Sequence, residues 1–179
     1  MGYASQPQPV KLVLPMLARQ PALFNMACEC LSFTYGRIDY TSIILPFDHT
    51  TYYEKEFGSG LQRQFVAFER LVDPGQLAEI KLLTNSLEQS LAVAGRRTIN
   101  LDPGYLSLAK FVLATTKDQS HRIYIGQGIY AEITLCYQHG EWRVCPWTYL
   151  DYQTAAYLLV IGELRAIYMS QLKEHTEGR

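Results

Sequence analysis

The chain lacks most of what would name a reaction directly. Its 179 residues contain no G-x-x-x-x-G-K-[ST] loop to cradle a nucleotide phosphate, no G-x-S-x-G elbow and no H-E-x-x-H helix. The histidines His49, His121, His139 and His175 stand far apart, so hydrolytic zinc chemistry has no motif to rest on. Cysteine is scarce. Cys28-Glu29-Cys30 has too short a spacer for a zinc knuckle, and Cys136 and Cys145 stand alone, so four reduced thiols and no metal are expected. Neither sign of charge dominates: 16 Lys plus Arg face 17 Asp plus Glu, which removes the broad positive footprint of a duplex nucleic-acid binder. No apolar run approaches the ~20 residues of a membrane span. The longest, Ala155 to Ile161, is followed at once by Glu163 and Arg165. Met1 to Pro9 has no basic stretch leading into an apolar one, and reads as a loose arm; a cytoplasmic location is expected.

What is present is a core. Apolar residues make up 48% of the chain and charged residues 18%, with 13 tyrosines, so burial can offset the entropy of ordering. No repeat, low-complexity tract or linker divides residues 1–179, and one domain is expected.

Hydrophobic patterning gives an order of elements. Val10 to Leu17 reads as a buried strand; Pro21 opens a helix over Ala22 to Tyr35 that Gly36 closes. Asp39 to Phe47 and Leu61 to Val72 read as strands, joined by a Tyr-rich connection from Asp48 to Gly60. Asp73-Pro74 starts a helix whose apolar stripe, Leu77, Ile80, Leu87 and Leu91, runs until Gly95. Its other side, Glu79, Lys81, Asn85, Glu88 and Gln89, reads as a solvated face. Thr98 to Leu101 supplies a further strand. The predicted fold is α+β: a ferredoxin-like βαββαβ beginning, extended by an antiparallel β-meander and closed by a C-terminal helix over Thr154 to Glu174.

The meander's register follows from its turns. A loop at Gly126-Gln127-Gly128 sets Ile125 opposite Ile129, Ile123 opposite Ala131, Tyr124 opposite Tyr130 and Arg122 opposite Glu132. A turn at His139-Gly140 sets Tyr137 opposite Trp142, Cys136 opposite Arg143 and Leu135 opposite Val144. Ile123 through Leu135, Tyr137, Trp142 and Val144, taken alternately, then share one apolar face.

Candidate functional residues cluster around this meander. Asn100-Leu101-Asp102-Pro103-Gly104 reads as a turn that presents Asp102 at a strand end. Lys117, His121 and Arg122 fall within one loop and strand start, and can contact an anion. Asp102, Glu132 and His121 are the candidate acid, base or metal-holding groups, although Arg122 and Glu132 read equally as an exposed cross-strand pair. Trp147 to Tyr152 surrounds Asp151 with aromatic rings, an arrangement that can stack a ligand or plug the sheet, with Asp151 or Thr154 capping the last helix. Lys117, Arg122, Tyr124, Trp147 and Asp151 are the candidate ligand contacts.

Taken together, Thr51-Tyr52-Tyr53, Lys81 through Asn85 to Glu88, Asn100 to Tyr105, Ala114 to Asp118, His121 to Tyr124, Gly128 to Glu132 and Trp147-Thr148-Tyr149 resemble a prokaryotic family catalogued as a domain of unknown function, DUF4416. The resemblance runs from the first strand to the start of the last helix. It departs at Leu150, where proline is expected. It implies no established activity or catalytic residues. Some members carry a GTP-binding label. Here the P-loop is missing, and Thr115-Thr116-Lys117-Asp118 is one residue short of the guanine-reading spacing.

Two functions follow as expectations: a small enzyme or binding protein for a phosphorylated or otherwise anionic metabolite, or a module that binds a protein partner or a second copy of itself through Tyr52, Tyr53 and the Trp147 segment. Whether the chain is an enzyme is left open, and no cofactor is indicated.

Overall fold

The computed structural model describes residues 2–50 and 52–177, with side chains as far as residue 174. Met1, Thr51 and the side chain of His175 lie outside the described residues. The protein has a mixed α/β fold: one large antiparallel sheet and four helices, including a C-terminal one. Its strands are β1 (Lys11–Ala18), β2 (Ile38–Thr41), β3 (Leu45–Pro46), β4 (Gln62–Phe68), β5 (Ile99–Leu101), β6 (Gly104–Leu106), β7 (Lys110–Thr115), β8 (Ile123–Gly126), β9 (Ile129–Gln138) and β10 (Glu141–Val144). They are ordered β10-β9-β7-β6-β1-β4-β2, with β3 on β4, β5 on β1 and β8 on β9. The helices are α1 (Pro21–Tyr35), α2 (Glu54–Phe57), α3 (Leu77–Ser90) and α4 (Ala155–Glu177).

Alternation along β1 assigns the two faces. Leu12, Leu14 and Met16 pack with Phe24, Ala27 and Leu31 of α1 and with Ile80 of α3. Val13, together with Phe65 and Ala67 of β4, packs under Tyr157, Ile161, Leu164 and Tyr168 of α4. The sheet is thus buried on both faces, which is why β1 reads as a continuous apolar run. Gly36, at φ 87°, closes α1 as expected, and Asp73 caps the turn before α3 by accepting from Gly75 N. Thr154 rather than Asp151 caps α4, its hydroxyl accepting from Tyr157 N at 3.4 Å.

Four expectations about the sheet need correction. Asp39 to Phe47 is not one strand: its pairing to β4 breaks at Ser42, whose hydroxyl accepts Phe65 N. Ile125 is not opposite Ile129. Gly126 takes that place, with a register shift after Tyr124, while Ile123–Ala131 and Tyr124–Tyr130 pair as expected. The apolar face of β9 is also divided. The shift between the Phe111–Leu135 and Val112–Ile133 pairs leaves Thr134 as an extra residue. Ile129, Ala131 and Ile133 therefore pack toward α3, while Leu135 and Trp142 turn toward α4.

The fourth correction shapes the site. Asn100 to Tyr105 is no turn: β5 and β6 pair with β1 in one unbroken register, interrupted only at Asp102-Pro103. Pro15 of β1, opposite Asp102, and Pro103 both lack the N–H that would complete the ladder. Gly104 lies so close to Val112 of β7 that a Cβ would collide with its carbonyl. The reversal comes later, at Ser107 to Lys110, where Ser107 N donates to Lys110 O. The far end of β7 is thereby folded back beside Asp102.

Candidate functional site

β6 pairs with β7, but β5 does not. The last bond along that seam joins Ala114 N to Pro103 O. Beyond it the sheet forks, and β5 presents an unpaired edge inside the protein. Open backbone groups in such a place need partners. Helix α3 supplies them: Lys81 Nζ donates to Leu101 O at 2.8 Å, and Glu88 Oε1 accepts Leu101 N at 2.6 Å. Two side chains spaced two helical turns apart thus replace a missing strand. This corrects the solvated-face reading of α3, because Lys81 and Glu88 are buried. Burial pushes the Glu88 carboxyl above its ordinary value against the opposing pull of Lys81, Leu101 N and Arg97.

The fork is the floor of a cleft of about 810 Å³, a size that suits a small metabolite. Its walls come from α3, the segment before α2, the end of β7 with its following loop, and Pro146 to Tyr152. Arg63, on β4 two residues before Phe65, lies on the α4 face beside Tyr152 and Tyr157. Its Nη1 lies 3.1 Å from Asp102 Oδ2, its Nη2 3.4 Å from Asp151 Oδ2, and its guanidinium covers the Phe47 ring at 5.1 Å. Asn100 Nδ2 donates to the same Asp102 oxygen at 2.7 Å. Arg97 reaches Glu88, Asn100 and both oxygens of Glu56.

Arg122 anchors the opposite wall. Its Nε donates to Glu132 Oε2 at 2.8 Å, Nη1 to Lys117 O at 3.0 Å and Nη2 to the Tyr149 hydroxyl at 2.7 Å. The expected exposed pair is therefore a buried one: the two side chains are 1% and 2% exposed, because Tyr149 and the 117–122 loop close over them. His121 Nε2 is 3.2 Å from the same Glu132 oxygen, and its ring stacks on Trp147 at 5.1 Å. The other oxygen, Glu132 Oε1, is buried with no partner among the described residues. Lys117, at the rim, donates to the Tyr52 hydroxyl at 2.6 Å and lies over that ring.

Of the residues singled out in the sequence, Asp102, Lys117, Arg122, Glu132, Trp147 and Asp151 line this one cleft. His121 stands behind the wall, in contact with Glu132 and Trp147. Tyr124 is away from the cleft, exposed on the β8–β9 hairpin against Tyr130. Sequence reasoning missed Arg63, Lys81, Glu88, Asn100 and Arg97. The signal for Arg63 was a charge at an inward position of a strand whose next inward residues are Phe65 and Ala67. For Lys81 and Glu88 no signal separates a polar helix stripe facing a cleft from one facing water.

Fold and cleft together define an α/β protein whose sheet opens internally into a charged, aromatic-rimmed pocket. The chain belongs to the family described as domain of unknown function DUF4416, whose profile matches residues 8–168. No curated protein and no solved structure matches it.

Proposed function

We propose that the cleft binds an anionic small molecule, with phosphorylated metabolites as the first class to test. The observation that carries this reading is the partnering of the cleft's cations. Arg63, Arg97 and Arg122 are each held by a carboxylate. Lys81 and Lys117 have no carboxylate within ion-pair distance among the described residues. Lys81 is the stronger case: its buried ammonium makes one hydrogen bond and has donors unspent, although Glu88 and Asp102 are close enough to feel its charge. An anion entering the fork would meet Lys81 at the floor and Lys117 at the rim. Arg122, by contrast, has a partner on each of its three nitrogens, and serves the site by holding Glu132, Tyr149 and the Lys117 backbone in place.

The alternative, a partner-binding module, calls for a flat aromatic patch. Tyr52, Tyr53 and Trp147 instead face the cleft, which favours the ligand reading. We also infer a ferredoxin-like beginning, supported by the strand order β6-β1-β4-β2 with α1 and α3 on one face.

The test is a thermal-shift series with inorganic phosphate, pyrophosphate and citrate as probes. A probe at 100 times its Kd stabilises by about 2.7 kcal/mol. Lys117→Gln, at an exposed position, is expected to leave ligand-free stability within about 0.5 kcal/mol of the parent and to reduce the response to the probes. An unresponsive parent, or equal responses in parent and variant, would defeat the reading.

A further inference from the structure

We infer that Asp102 and Asp151 form an unequal pair across Arg63, with Asp102 the standing carboxylate and Asp151 the proton-bearing member that faces the ligand. This rests on the cleft being the binding site, and it adds an acid–base function to that site. The inference starts from a charge count. Asp102 and Asp151 both reach one guanidinium, on different nitrogens, in a place largely closed to water. Arg63 is the one cation that reaches both, and it does not compensate two carboxylates there, so the one that has no second cation beside it is the preferred seat of a proton.

Geometry decides which. Asp102 has the shorter contact to Arg63, takes the Asn100 amide on the same oxygen, lies near the Lys81 ammonium and is 24% exposed at the cleft floor. Asp151 has the longer contact to Arg63, accepts from Tyr152 N at 3.1 Å and is 8% exposed. The groups facing it from the packed elements are Arg63 of β4, Asp102 of the β5–β6 kink, Tyr152 beside it and Tyr157 of α4. Arg63 is the only cation among them. The titration tendencies agree. Burial pushes Asp102 upward, but Arg63, Lys81 and Asn100 outweigh it and hold the carboxyl below its ordinary value. Burial carries Asp151 above its ordinary value despite Arg63 and the backbone N–H groups of Tyr152 and of Asp151 itself, and the Asp102 charge adds to the rise.

Two carboxyl groups pushed apart in this way, in one cleft, are equipped for different tasks: the lower as a fixed charge, the higher as a proton donor. The opposite wall of the cleft holds the unpartnered oxygen of Glu132, which is 3% exposed and can accept a hydrogen bond from a ligand. Asp151 and Glu132 thus offer a donor and an acceptor to one bound molecule, while Lys81 and Lys117 hold its negative charge.

The experiment is carboxyl carbon NMR of the aspartates against pH, first without ligand and then with pyrophosphate. In the ligand-free parent, one aspartate should titrate above the ordinary range. That signal should vanish in Asp151→Asn and move down in Asp102→Asn, where Arg63 is left to Asp151 alone. An elevated signal that survives in Asp151→Asn, or no elevated signal, overturns the pair whatever the ligand does. With pyrophosphate bound, Asp151 should titrate higher still, because a nearby anion favours its protonated form. Pyrophosphate that stabilises the protein yet leaves this titration unmoved overturns the donor role and spares the binding reading. If pyrophosphate does not bind while the elevated ligand-free signal stands, the binding reading falls and the pair remains.

Discussion

Lys11 of β1 and Lys81 of α3 are both removed from water, at 0% and 6% exposure, yet they are partnered in opposite ways. Lys11 Nζ meets both oxygens of Asp39 at 2.9 and 2.7 Å, Phe68 O at 3.1 Å and Gln171 Oε1 at 3.1 Å. Its donors are used up on three elements that it ties together: β2, β4 and α4. Lys81 makes one bond, to a strand edge that no strand covers, and faces a cleft. A buried charge with all of its donors spent is part of the scaffold; one with donors to spare is available to a ligand. A milder contrast separates Arg122, which has a partner on each nitrogen and is paired with Glu132, from Lys117, which holds only the Tyr52 hydroxyl and ring.

The largest expected effect sharpens the scaffold side. Arg122→Ala leaves Glu132 charged and buried without its partner, and should destabilise the protein by about 3–5 kcal/mol in denaturant unfolding. Had the two residues formed the exposed cross-strand pair, the change would be nearly neutral. Arg122→Met with Glu132→Leu, which removes both charges, should recover much of that loss. If the double variant is no more stable than Arg122→Ala, burial of an unpaired charge is not the cause.

The two lysines give the next contrast. Lys11→Met strands Asp39, and should also cost about 3 kcal/mol or more while leaving the pyrophosphate response intact. Lys81→Met leaves Leu101 O without a donor, at about 1–3 kcal/mol, and should abolish the pyrophosphate response. A variant pair in which Lys11→Met loses the response and Lys81→Met keeps it would break the comparison.

The smallest effect is one of pH. Asp102 lies below its ordinary value when folded, so it contributes stability above the unfolded-state value, and this is lost as pH falls through the folded one. Asp151 lies above its ordinary value, so the folded state binds the extra proton, and stability declines as pH rises from the ordinary carboxylate value through the folded one. Asp151→Asn removes that decline. Its melting temperature relative to the parent should therefore rise with pH across that window, whereas that of Asp102→Asn relative to the parent should fall with rising pH below the ordinary carboxylate value.

Much of the fold was legible in local chemistry. Pro21 and Gly36 bracket α1, Asp73-Pro74 opens the turn into α3, and the His139-Gly140 turn fixes β9 against β10 without a slip. Single-residue insertions were not legible, because Ile125 and Thr134 fit the alternating pattern on either side of the shift. Nor was the fork: Pro103 and Gly104 carry turn chemistry, and only the opposing Pro15 reveals that a strand runs through them. An extended run from Tyr105 to Thr115 would have left Asp102 far from Lys117. The reversal at Ser107 to Lys110 brings them to one cleft, and that long-range fact has no local signature beyond a serine and a short polar gap. Lys81 and Glu88 were hidden for a related reason, since a helix's polar stripe looks alike whether water or an open strand edge lies against it.

The fork as a ligand site is tested most directly by mapping pyrophosphate onto the amide and indole N–H signals of the uniformly labelled protein. The account predicts that the perturbed signals gather at Leu101, Thr116, Lys117, Tyr149 and the Trp147 indole, and that those of α1, including the exposed Phe33, stay still. Perturbations scattered over the surface, or centred on α1 with the fork unmoved, would contradict it.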